Sequence, residues 1–149
     1  MNIRNHAVIA ALALAVLVSG CASVPMADPA QDQAAKAFTV SPGKSKIYVF
    51  RNESMGAAIT MDVFIDGRPL GQTVAKTYLV TEVDPGPHKL MGKSENEHLI
   101  DLTTIAGRIH YVWQEVKMGL MYARNQLQVV DEKTGREGVL ESKLAAGSK

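Results

Sequence analysis

The chain lacks most of the residue patterns that announce chemistry. It has a single cysteine, Cys21, in 149 residues, so no intramolecular disulfide can form even where the compartment would permit one. Neither sign of charge dominates, with 16 Lys and Arg against 15 Asp and Glu. That balance removes the electrostatic footprint of a nucleic-acid binder, and there is no Lys/Arg block of the kind that binds anionic lipid. The longest apolar run, Ala7–Val18, is about a dozen residues, whereas a membrane-spanning helix needs roughly 20. Also missing are a Gly-x-Ser-x-Gly elbow, a His-x-His pair, a Cys/His cluster at zinc spacing and the alternating acidic ligands of a calcium loop. No internal repeat is visible.

What is present begins with the leader. Arg4 precedes the apolar run, and Leu17-Val18-Ser19-Gly20-Cys21 follows it. A charged start, a short apolar stretch and small residues ahead of a cleavage point have the form of a secretory signal. The pattern resembles the lipobox of bacterial lipoproteins, which implies cleavage between Gly20 and Cys21 and lipid attachment at Cys21. Such lipoproteins carry two or three acyl chains, and at about 0.8 kcal/mol per buried methylene two chains already hold a protein on a membrane. The mature chain, without Arg4, would carry 15 basic and 15 acidic residues. By resemblance to enterobacterial sorting, Ala22 in place of Asp points to the outer membrane.

Ala22–Ser41 is rich in Ala, Pro, Gln and Asp without a sustained apolar period, the composition of a flexible linker. The expected organisation is therefore a signal peptide over 1–20, a lipidated cysteine and tether over 21–43, and one domain over 44–149. A helix over Asp32–Phe38 would have little to pack against.

From Lys44 the chain changes to short β-type segments separated by turn residues. Lys46–Asn52 is apolar on both faces, as in a central strand. Ile59–Ile65 alternates, with Ile59, Met61, Val63 and Ile65 on one side. Asp66-Gly67 predicts a tight hairpin into Arg68–Gln72, and Pro69 places that strand at an edge. Thr77–Val83, His88–Gly92, His98–Ile105, Arg108–Val116 and Asn125–Asp131 complete the set, with Leu127 and Val129 inward in the last. In Arg108–Val116, Ile109, Tyr111 and Trp113 share the expected core face, and Arg108, His110 and Gln114 the wet one. Leu140 and Leu144 predict a short terminal helix over Gly138–Ala145. Seven to eight short strands argue for an all-β domain, an antiparallel sandwich or partly open barrel with a short C-terminal helix.

Several pieces read together carry a family resemblance. They are Ile47-Tyr48-Val49-Phe50-Arg51, Val63-Phe64-Ile65-Asp66-Gly67 with Leu70-Gly71, Thr77-Tyr78, Pro85-Gly86-Pro87-His88, and Ala106-Gly107 ahead of Tyr111-Val112. The set resembles the bacterial lipoprotein family catalogued as domain of unknown function 2846, over about residues 44–131. Asn52, where such sequences often place Pro, and Pro87, at a position usually polar, depart from it. The resemblance implies secretion, a lipid anchor and a β-rich domain, and it carries no established activity. Each signature is a turn, so the motifs specify a fold and name no catalyst.

The remaining candidates are weighed on their chemistry. A catalytic histidine needs a nucleophile within reach and a group to orient it. His98 and His110 have neighbouring carboxylates in sequence but no such nucleophile, and His88 reads as a turn residue contacting backbone. Glu95, Glu97 and Asp101 read as a solvated hairpin rather than an acid/base pair. Tyr111 and Trp113 could stack on a glycan, but their shared parity with Ile109 favours packing. Soft thioethers suit Cu(I), so Met118 and Met121, converging with His110, form the metal-binding alternative, against which methionines commonly fill core gaps. The apolar stretch Met118-Gly119-Leu120-Met121-Tyr122 is either a cover over an open end of the sandwich or, if exposed, a contact patch. The expectation is a non-enzymatic, lipid-anchored protein of the outer membrane facing the periplasm. It has no cofactor and no nucleic-acid partner, and it binds or scaffolds an envelope protein through Met118, Leu120, Met121 and Tyr122.

Overall fold

The computed structural model describes residues 23–148, so the signal segment, Gly20, Cys21 and Ala22 lie outside the described residues. Nine strands are ordered as β1 (Ser45–Arg51), β2 (Met61–Ile65), β3 (Arg68–Thr73), β4 (Thr77–Val83), β5 (Gly86–Lys93), β6 (Glu97–Thr104), β7 (Ile109–Met118), β8 (Ala123–Val130) and β9 (Lys143–Leu144). Two helices, α1 (Pro29–Ala35) and α2 (Glu132–Leu140), flank them. The strands form a five-stranded sheet, β8-β7-β1-β4-β9, facing a four-stranded sheet, β3-β2-β5-β6. The sandwich expected from the strand pattern is present, as two open sheets rather than a barrel.

The pairing is not wholly antiparallel. β1 runs parallel to β7, with Lys46 opposite Ile109 and Phe50 opposite Trp113, and β4 runs parallel to β9. Turn residues specify hairpins but say nothing about partners joined by long crossovers, so these pairs had no local signal. Two turn signals were obeyed. Asp66 and Gly67 turn with φ of 50° and 76°, and β3 is the edge that Pro69 requires.

Two cores result. Ile47, Val49, Val63, Leu79, Leu90, Leu102, Val112 and Leu127 fill the space between the sheets. On the outer side of the five-stranded sheet, Tyr48, Phe50, Tyr78 and Tyr111 form an aromatic layer under the helices, with Tyr48 and Tyr111 stacked at 5.6 Å. β1 is therefore buried on both faces, as its sequence implied. The same layering corrects the reading of β7. Tyr111 and Trp113 pack beneath the helices, while Gln114, expected in water, is fully buried between the sheets. Val129 also departs from expectation and is 54% exposed.

The segment expected as a tether is, from Ser23 on, part of the domain. Val24 joins the inter-sheet core, and Met26 bridges Ala145. The Tyr48 hydroxyl donates to the Ala35 carbonyl at 2.6 Å, and the Tyr78 hydroxyl to the Asp32 carboxylate at 2.8 Å. Phe38 adds a ring 5.5 Å from that of Tyr48, so the docking joins polar contacts and backbone pairing to a few scattered apolar side chains, which form no stripe in the segment.

The terminal helix also lies earlier than Gly138–Ala145. Asp131 caps it, its side chain accepting from the Thr134 amide at 2.9 Å, which fixes the start. Gly135 and Gly138 disguise it, since glycine weakens a helix. Both are needed here because a Cβ at either position would overlap the rings of Tyr111 and Phe50.

Candidate functional site

The side chains that stand out are at one end of the sandwich. In the β7–β8 connection Met118 is 86% exposed, Leu120 93%, Met121 86% and Tyr122 52%. Of the two sequence readings of this loop, cover or exposed patch, exposure is the one realised. Exposure of apolar side chains is usually a mark of looseness, but the backbone here is fixed. The Glu95 carboxylate, from the β5–β6 turn, accepts the amides of Leu120, Met121 and Tyr122 at 2.8, 2.8 and 3.0 Å. The Tyr122, Leu120 and Met121 N–H groups hold the Glu95 carboxyl below its ordinary pKa, because each stabilises the anion. A Cβ at Gly119 would come within 2.5 Å of the Glu95 carboxylate, so only glycine admits this latch.

The neighbouring β1–β2 loop is fastened in the same spirit. Arg51, fully buried, donates to the carbonyls of Ile59 at 2.7 Å and Gly56 at 2.5 Å. Glu53 in that loop accepts the Val116 amide at 3.2 Å. Tyr122, with Ala58, Ile59, Thr60 and Lys93, lines an open hollow of about 440 Å³. Beneath lies a buried polar layer in which the Thr73 hydroxyl meets Gln114 at 2.6 Å and the Asn125 amide meets Asn96 at 2.8 Å.

Glu95 was missed from sequence. It read as one acid in a solvated hairpin, and its partners lie far along the chain in a loop without polar side chains. The only local hint was Gly119 amid bulky apolar residues.

The metal-ligand set is not brought together. His110 sits near the start of β7 and Met118 at its end, about 26 Å apart at the rise of an extended strand. The His110 ring accepts the Ile105 amide at 3.2 Å, and burial, together with Arg108, lowers its pKa. His98 is the histidine nearer the loop, sharing a hollow with Met118, but Lys117 and Arg124 line it too and would repel a cation. Among the described residues no group of three or more His, Cys, Asp and Glu is arranged to hold a metal. Glu97 pairs with Lys93 at 3.2 Å and Asp101 with Lys89 at 2.8 Å on the surface.

His88 is held between two turns at the opposite end. Its Nδ1 is 2.7 Å from the Asp66 carboxylate and its Nε2 2.7 Å from the Asp84 carbonyl. With acceptors on both sides, the imidazolium is the form that satisfies them; His88 makes the backbone contact expected of it, from within β5 rather than from the turn.

Residues 41–126 match the family described as Protein of unknown function (DUF2846). The match covers more than half of the chain, and the protein belongs to that family. It takes in β1–β7, Glu95 and the whole Met118–Tyr122 loop. A protein of Haemophilus influenzae described as an uncharacterized protein is 27% identical over 136 residues, 90% of this chain and 81% of that relative.

Proposed function

We propose that the protein is a lipid-anchored protein of the bacterial envelope whose β-domain binds rather than catalyses, with the Met118–Tyr122 loop as its contact surface. Anchoring is by acyl chains on Cys21, in the outer membrane and facing the periplasm. One observation carries the contact surface: Leu120 is 93% exposed while its own amide is held by Glu95. A disordered loop would lose entropy on binding, whereas a latched one has already been ordered by folding. Burying a single large aliphatic side chain contributes about 1.5–3 kcal/mol, so three at one tip are enough for a specific contact.

The reading is tested in two parts. Metabolic labelling with an alkyne fatty acid should mark the wild type and leave Cys21→Ser unmarked and absent from the membrane fraction. A photo-crosslinking residue at Leu120 should capture an envelope component in cells. The capture should disappear in a Met118→Asp/Met121→Asp background with unchanged circular dichroism. No adduct at Leu120, or one indifferent to those changes, rejects the loop as the contact.

A further inference from the structure

Resting on that reading, we propose that the loop's partner is the bilayer that carries the anchor, and that the outer face of the four-stranded sheet lies against it. Cys21 is three residues before Val24, and three residues span at most about 10 Å. Val24 is 9% exposed and packed into the core between the sheets. An acylated Cys21 therefore leaves no slack with which to hold the domain away from the membrane. The two sheets alone are separated by about 10 Å, so the domain rests on the headgroups.

The exit point selects which face rests there. Val24 and Pro25 border a hollow of about 280 Å³ shared with Asp62, Phe64 and Pro69, on the outer side of β2 and β3. From that edge an apolar row crosses the sheet in register, Pro69 opposite Phe64, Phe64 opposite Met91 and Met91 opposite Leu99. These residues alternate with Ile65, Leu90 and Ile100, which face the core, and Leu99 is 52% exposed. Asp62 borders both this hollow and the one under Tyr122, so the row and the loop tip belong to one continuous side. Behind the tip, Lys117 stands opposite Arg124 across β7 and β8, where phosphates would meet them if Leu120 and Met121 enter the acyl boundary.

The test uses the acylated protein purified from membranes, after the mass of its N-terminal peptide has been measured. With Cys21 acylated, Leu99→Cys, Met121→Cys and Lys133→Cys each offer a single free thiol for a fluorophore, the last on the exposed side of α2. In vesicles of phosphatidylethanolamine and phosphatidylglycerol, a nitroxide at headgroup depth should quench the first two labels about threefold more than the third. Equal quenching of all three overturns the proposal while leaving the anchor intact. Shielding of Met121 and Leu99 labels in native membranes but not in pure-lipid vesicles also overturns it, assigning the face to an envelope protein. An unacylated Cys21 removes this proposal together with the reading on which it rests.

Discussion

The two ends of the sandwich solve the same problem differently. At the end where β4 turns into β5, charged side chains tie the turns to one another. His88 bridges the Asp66 carboxylate and the Asp84 main-chain carbonyl, and Lys44 pairs with the Asp84 carboxylate at 2.6 Å. At the other end, Arg51 and Glu95 spend their polar atoms on backbone, fixing two loops whose side chains are left facing outward. Ion pairs between turns, with backbone contacts beside them, close the first end; at the second, charged groups hold loop backbone and leave a rigid apolar display. Apolar exposure at the second end is thus built into the fold.

The largest loss is expected at Arg51. Arg51→Ala should leave the Ile59 and Gly56 carbonyls unpaired around a void, costing about 3 kcal/mol in chemical denaturation. An unchanged midpoint would mean that the β1–β2 loop does not depend on it. At the first end, His88→Gln should cost under about 1 kcal/mol, since the contacts are partly exposed and screened. Its signature is the pH dependence. Burial pulls the His88 pKa down, but the hydrogen bonds to Asp66 and the Asp84 carbonyl outweigh it and leave it raised above 6.5. Its stabilisation is therefore full below pH 6.5 and is lost as pH rises through the folded value. The variant should show a flatter stability profile over that window.

Glu95→Gln should act locally rather than globally. Amide exchange at Leu120, Met121 and Tyr122 should accelerate while the rest of β7 and β8 is unmoved. In the wild type the Glu95 pKa is lowered from 4.5, so the latch is intact above that value. It opens as pH falls through the lower folded one, which the shifts of those three amides would report. The smallest effect on stability belongs to Met118→Asp/Leu120→Asp/Met121→Asp, within about 0.5 kcal/mol of wild type. A large loss there would show that the loop is covering rather than displaying.

Sequence and structure agree where information is local. Alternation located Met61 and Val63 in the core, Asp66-Gly67 made the predicted hairpin, and the Met118–Tyr122 stretch was visible as an apolar run. They part where a residue's role is set by something distant in the chain. Gln114 looked wet because the second sheet that covers it is invisible from within β7. Segment 23–43 looked like a tether because it binds through tyrosine hydroxyls, backbone pairing and isolated apolar side chains such as Val24 and Phe38, which leave no period. Glu95 looked solvated because its three partners are main-chain amides, and amides are the same in every sequence.

The seam formed by Val24, Met26 and Ala145 also has a meaning in time. β1 cannot complete its hydrogen bonds until β7 has arrived, and the core stays open until residues 143–147 pair with β4 and Met26. Contacts so remote along the chain delay folding. By placing the closing strand so late, this topology makes the last residues of the domain the ones that seal its first.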